Sequence, residues 1–152
     1  MSLISYLPPD SVLARLEAKT KEPALVALAS RVVELHPELD QGEVFSVLCE
    51  REAMGSTGIG DGVAIPHGKL AACREITVLV ARSVSGCDFG AVDGRACHIF
   101  CLLLAPPEAA STQFSVLEHF VRLFKVKEFR DRFMEAADAE SIWKLLDSAW
   151  RD

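Results

Sequence analysis

Gly55-Ser56-Thr57-Gly58-Ile59-Gly60-Asp61-Gly62-Val63-Ala64-Ile65-Pro66-His67-Gly68 packs five glycines and a proline into fourteen residues. That density of turn formers excludes a helix and reads as a loop ending in a short strand. The flanks are more regular. Upstream, Thr20 is placed to cap a helix with Pro23 in its first turn, and Ala24, Leu25, Leu28, Val32 and Leu35 recur at helical spacing until His36-Pro37 ends it. Asp40 and Glu43 have capping-box spacing and open a second helix, on which Val44, Val47, Leu48 and Arg51 share a face. Arg51 is the charged residue on that apolar stripe. Downstream, residues 76–83 and 98–105 are β-branched or apolar enough for central strands covered on both sides, with turn residues over 89–94 between them. Beyond Pro106-Pro107, helical patterns run through Phe114, Leu117, Val121 and Phe124, then residues 129–133, then Ile142, Trp143, Leu145, Leu146 and Ala149. Trp143 and Trp150, seven residues apart, are expected against the sheet. This order predicts one α/β domain over residues 1–152, a sandwich whose small mixed β-sheet is covered by helices on both faces.

Composition excludes several function classes. Half the chain is hydrophobic, as one core of this size requires. The 16 Lys and Arg against 22 Asp and Glu give a net charge of −6, which argues against nucleic acid as a partner. The longest apolar run, residues 99–107, is about half of the roughly 20 residues that span a bilayer. The first ten residues lack the basic flank and apolar stretch of a secretory signal, so a cytosolic protein is expected. Cys49, Cys73, Cys87, Cys97 and Cys101 form an odd set without a Cys-x-x-Cys pair, which is the usage of reduced thiols. On a strand, Cys97 and Cys101 share a face about 13 Å apart while His98 points away, so no metal site is expected there.

The glycine-rich loop fails the tests for known phosphate cradles. A Walker loop needs Gly-Lys followed by Ser or Thr, and the first lysine after the glycines is Lys69. A dinucleotide fingerprint needs Gly-x-Gly-x-x-Gly after a strand, and a hydrolase elbow needs Gly-x-Ser-x-Gly; neither is present. No cofactor is therefore expected. The remaining reactive group is His67, which follows Ile65-Pro66 at the end of the short strand. A neutral imidazole offers one nucleophilic nitrogen while the other donates to a carbonyl that fixes the tautomer, as a phosphoryl acceptor requires. Ser56, Thr57, the Gly58 amide and Arg51 are candidate partners for the phosphoryl oxygens. Two other readings stay open at this point: a structural histidine bonded within the loop, and a hydrolase using Ser56 with His67 as base.

The run Arg51-Glu52-Ala53-Met54-Gly55-Ser56-Thr57-Gly58-Ile59-Gly60-Asp61-Gly62-Val63-Ala64-Ile65-Pro66-His67-Gly68-Lys69 resembles the active-site signature of the enzyme IIA domain of the bacterial sugar phosphotransferase system, fructose and mannitol type. The standalone nitrogen-regulatory members are the most similar. Asp88-Phe89-Gly90-Ala91-Val92-Asp93-Gly94 resembles the stretch that precedes the family's next core strand. The resemblance implies that His67 receives a phosphoryl group from the histidine of a small carrier protein. Transport members pass it to a cysteine of a IIB domain; nitrogen-type members report it to regulatory partners such as a kinase, a transporter or a transcription regulator. It also implies that Arg51 sits beside the histidine.

Two positions depart from the family pattern. Gln113 occupies the position where the family commonly has a second histidine. At 100° per residue it lies within about 20° of Phe124 and 40° of Leu117, so it is expected to point inward. His119 lies about 200° from Leu117 and is expected at the surface. Asp61 stands where an uncharged residue is commoner, and a carboxylate near a dianion repels it by about 1 kcal/mol or more. These departures, with no IIB or IIC segment in the sequence, give weight to a second expectation: a regulatory protein-binding module with weak or lost phosphoryl transfer.

Overall fold

The computed structural model describes residues 3–150; Met1, Ser2, Arg151 and Asp152, the ends of the expected domain, lie outside the described residues. In chain order the elements are β1 (Val12–Leu13), α1 (Lys21–Leu35), α2 (Gln41–Ala53), β2 (Gly58–Gly60), β3 (Val63–Ala64), β4 (His67–Lys69), β5 (Thr77–Cys87), β6 (Cys97–Ala105), α3 (Ala110–Phe124), α4 (Lys127–Glu135) and α5 (Ala139–Trp150). Short 3-10 turns at Leu3–Tyr6, Pro9–Ser11 and Pro107–Ala109 complete them. The strands form one mixed sheet in the order β1-β5-β6-β3-β2, with β4 also paired to β6. Its centre is the antiparallel β5–β6 pair; β1 is parallel to β5, and β3 and β4 are parallel to β6.

The expected sandwich is present. One face of the sheet packs Leu79, Ala81, Phe100, Leu102 and Leu104 against Leu25, Leu28 and Val32 of α1 and Val44 and Leu48 of α2. The other packs Val78, Val80, Ile99, Cys101 and Leu103 against Phe120 and Phe124 of α3, Phe133 of α4 and Ile142 and Leu146 of α5. Alternation along β5 and β6 puts successive residues into opposite layers, so residues 78–81 and 99–105 read as unbroken apolar runs. Trp150 is buried in the second layer, while Trp143 is half-buried with its indole N–H donating to the Leu7 carbonyl at 2.8 Å.

Local signals govern the helix ends to different degrees. Asp40 caps α2 as its spacing predicts, accepting from the Glu43 N–H at 3.0 Å. Thr20 occupies the N-cap of α1, but its side chain makes no capping bond. In α3 the buried positions are Gln113, Val116, Phe120 and Phe124; of the expected stripe, Phe124 is buried, Leu117 and Val121 are half-buried against the same core, and Phe114 alone turns out, 65% exposed.

Three further expectations are corrected. The glycine-rich stretch is not a plain loop with one strand: it folds as a β2–β3 hairpin followed by β4, because β6 offers a long edge on which both β3 and β4 pair. Cys97 and Cys101 do not share a face. Cys97 packs in the α1–α2 layer and Cys101 in the other; between them the β5–β6 register shifts, with Arg82 opposite Ile99 but Cys87 opposite Cys97, so regular alternation does not carry through to Cys97. His119 is half-buried and not turned fully to solvent. Its ring packs on Trp150 with centroids 5.3 Å apart, because α5 crosses the face that helical spacing alone assigns to solvent.

Candidate functional site

The site is assembled where three elements meet at the edge of the sheet. β4 runs beside β6 with His67 opposite Leu103 and Gly68 opposite Leu104. Gly68 is the closest approach of the strand to α2: a Cβ there would stand 2.2 Å from the Val47 side chain. Only glycine fits, and the contact brings the last turn of α2 within reach of the imidazole. From that turn the Arg51 Nε–H donates to His67 Nε2 at 3.3 Å and its Nη1 donates to the Gly55 carbonyl at 2.9 Å. Arg51 therefore both completes the C-terminal end of its helix and faces the histidine.

The tautomer of His67 follows from its neighbours. Its Nδ1 lies 2.7 Å from the Ile65 carbonyl, which can only accept, so Nδ1 carries the proton. Nε2 then has the lone pair, consistent with its receiving the Arg51 N–H. Burial lowers the pKa of His67 below the ordinary imidazole value; the Ile65 hydrogen bond opposes this and the Arg51 charge adds to it. At neutral pH the ring is an uncharged base held in one orientation.

An open cleft of about 450 Å³ lies in front of this ring. Arg51, Lys69 and Glu50 supply charge to its wall, Gln113 a polar group, and Met54 and Phe114 an apolar rim that is 83% and 65% exposed. Gln113 points inward as expected, is 4% exposed, and donates its amide to the Gly68 carbonyl at 2.9 Å. His67, Arg51 and Gln113 thus come together from β4, α2 and α3.

The other expected phosphate ligands do not join them. Ser56, Thr57 and Gly58 are not among the residues that line the cleft. The Gly58 N–H donates to the Ser56 hydroxyl at 3.0 Å, and the buried Thr57 directs its N–H and hydroxyl to the Glu52 carboxylate. Loop amides that satisfy the loop's own groups are not turned toward the histidine. Asp61 is exposed in the β2–β3 turn with φ of 57°, a left-handed conformation that aspartate tolerates, and its N–H donates to Asp93.

Sequence pattern assigns no role to Lys69, Glu52 or Phe114. Lys69 is within its reach, since a residue two positions from His67 on a strand shares its face. Glu52 and Phe114 are not, because helical spacing does not reveal which neighbouring element covers a given side.

Comparison with known proteins agrees over almost the full length. Residues 5–149 match the family model described as "Phosphoenolpyruvate-dependent sugar phosphotransferase system, EIIA 2". A nitrogen regulatory protein of Bradyrhizobium diazoefficiens is 34% identical over 146 residues, covering 96% of this chain and 95% of that protein. The crystal structure of the nitrogen regulatory protein IIA-Ntr from Neisseria meningitidis has a TM-score of 0.87 and 30% identity, covering 93% of this chain and 97% of that one. A complex of mannitol enzyme IIA with phosphorylated enzyme IIB from Escherichia coli is similar in fold, with a TM-score of 0.76 at 16% identity over 93% of this chain and 97% of the matched chain. The extent of the family match, and relatives at this identity and coverage, make the chain a member of the type 2 enzyme IIA family of the phosphoenolpyruvate-dependent sugar phosphotransferase system.

Proposed function

We propose that this phosphotransferase-system component is a histidine phosphocarrier that accepts a phosphoryl group on His67 Nε2 from a histidine carrier protein. One observation carries the reading: His67 lines the open cleft as a neutral ring whose Nδ1 is committed to the Ile65 carbonyl, which leaves the lone pair on Nε2. The phosphorus–nitrogen bond of the donor breaks as the bond to Nε2 forms, and the donor imidazole leaves with the electron pair. No proton has to leave the accepting nitrogen. The Nδ1 proton stays, so the phosphorylated ring is cationic and its hydrogen bond to Ile65 strengthens.

Arg51 has two tasks in sequence. Its N–H shields the lone pair in the resting protein, and a small rotation turns the guanidinium from Nε2 to the phosphoryl oxygens, where Lys69 adds a second positive charge. Gln113 contributes a neutral side chain at the position of the family's second histidine, with its amide already given to Gly68. The exposed Met54 and Phe114 suit a protein partner whose own phosphoryl-bearing side chain enters the cleft. Downstream, a IIB domain is the acceptor that the mannitol complex suggests, and a regulatory protein is the partner that the nitrogen regulatory relatives suggest.

The test is intact-mass measurement after incubation with phosphoenolpyruvate, enzyme I and the histidine carrier protein. The expected result is a gain of one phosphoryl group that is acid-labile, base-stable and absent in His67→Ala. Labelling that persists in that variant overturns the assignment. A second reading is favoured by the absence of an imidazole at Gln113: the chain is a regulatory protein-binding module with weak or lost phosphoryl transfer. Wild-type protein that takes up no phosphate from its own carrier selects that reading.

A further inference from the structure

Glu52 comes directly after Arg51 in sequence but points away from the cleft, and its side chain is only 5% exposed. A carboxylate buried to that degree needs partners, and these run in one direction. Lys21 Nζ, from the start of α1, lies 3.0 Å from Oε1 and also rests over the Phe89 ring. The Thr57 backbone N–H donates to both carboxylate oxygens at 3.2 Å, and the Thr57 hydroxyl donates to Oε2. The Thr57 carbonyl accepts from the Ile65 N–H at 2.9 Å, and the Ile65 carbonyl accepts from His67 Nδ1 at 2.7 Å. The buried charge and the reactive ring are joined through two backbone residues.

The Ile65 carbonyl needs this support because the nitrogen of its peptide bond belongs to Pro66. That peptide has no N–H to anchor it. Its orientation depends on the bonds to either side. On one side the Pro66 carbonyl accepts from Leu103 N–H at 3.0 Å, within the rigid pairing to β6. On the other the Ile65 N–H is held by Thr57, a residue outside the strands whose own N–H is fixed by Glu52. The sheet secures one end and a buried carboxylate the other.

We propose that Glu52 and Thr57 are positioning residues that fix His67 as its Nδ1–H tautomer and so make Nε2 the nucleophile. The proposal rests on the phosphocarrier reading for its consequence, but the tautomer can be read without any phosphoryl transfer. The experiment uses the full chain labelled with ¹⁵N-histidine, comparing wild type with Glu52→Ala, Glu52→Gln and Thr57→Val. Ring ¹⁵N resonances of His67 are recorded at pH 7.5, and labelling rates are measured with phosphoenolpyruvate, enzyme I and the histidine carrier protein.

In wild type the resonances report a proton on Nδ1 and a lone pair on Nε2. Glu52→Ala yields a mixture of tautomers and labels about tenfold to a hundredfold more slowly, the penalty expected when a reacting group is misplaced. Glu52→Gln keeps an acceptor oxygen for Thr57 and recovers most of the wild-type ring spectrum, which a loss of general stability does not predict. A wild-type ring spectrum in folded Glu52→Ala overturns the proposal. If that variant does not fold, Thr57→Val decides the same question: mixed tautomers support the proposal and an unchanged spectrum overturns it. Wild-type protein that takes no phosphate overturns the phosphocarrier reading alone, and the ring spectra still decide this one.

Discussion

On one face of the sheet, α3, α4 and α5 bury Phe120, Phe124, Phe129, Phe133 and Trp150; on the other, α1 and α2 bury mainly aliphatic side chains around Phe89 and Phe100. The aromatic layer is knitted by ring contacts, with Phe124 meeting Phe120, Phe129 and Phe133 at centroid distances of 5.3 to 6.3 Å. The aliphatic layer tolerates charge at its border, where Glu52 and Lys21 pair and Arg51 reaches the histidine. The aromatic side holds one buried charge of its own, Arg82, which is 5% exposed and donates to the carbonyls of Phe133, Met134 and Ala136, but the ionic groups beside His67 come from the aliphatic side. His67 stands at the edge where both layers end, and each contributes one neighbour.

If that division is correct, the largest loss of stability comes from the aromatic side. Phe133→Ala, at a fully buried position beside Phe124, is expected to cost about 3–5 kcal/mol in denaturant unfolding while folded protein keeps its His67 ring spectrum. Loss of the site in protein that remains folded breaks the comparison. Next comes the contact between α2 and β4. Gly68→Ala is expected to cost about 1–3 kcal/mol through overpacking and to slow labelling by displacing Arg51; Val47→Ala, which removes the obstructing methyl groups, restores both.

Gln113→Ala tests the bridge between layers, and removal of its bond to the Gly68 carbonyl is expected to cost about 1 kcal/mol. A neutral result in unfolding measurements makes the α3 contribution dispensable. The smallest effect is a slope with pH. Burial lowers the pKa of His67 and of His119, so as pH falls through about 6.5 the unfolded chain takes up protons before the folded one and stability declines. Asp93 and Asp138, held below the ordinary carboxylate value of 3.8 by backbone N–H groups of Arg95 and Ser141, contribute a loss only at lower pH. Unfolding midpoints between pH 7.5 and 5.5 should flatten in part in His119→Gln, whose ring lies in the aromatic layer, and an unchanged slope assigns the whole effect elsewhere.

Features that depend on neighbours in the chain are legible in it. The Asp40 cap, the stripe through Leu25, Leu28, Val32, Val44 and Leu48, and the two central strands need only local spacing, and the structure has them. On α3 the inward turn of Gln113 was legible from helical spacing, whereas Phe114 departs from its expected place in the core because it follows Gln113 on the flank that faces the cleft. The Cys97 alternation fails where the β5–β6 register shifts, which sequence periodicity does not announce. Among the expected site residues, Arg51 and Gln113 reach the His67 cleft, whereas Ser56, Thr57 and Gly58 are occupied in holding the loop.

By itself, the sequence determined the helices, the buried strands, the glycine-rich turn chemistry and the family, because periodicity, turn formers and a long motif are properties of neighbouring residues. Tertiary structure alone decided which donors face the imidazole. That choice depends on Gly68 letting α2 approach β4, on β6 aligning the segment around Pro66, and on a buried carboxylate claiming the Thr57 donors. A hydrogen bond is fixed to within tenths of an ångström by elements distant in the chain, and residue spacing carries no information at that scale.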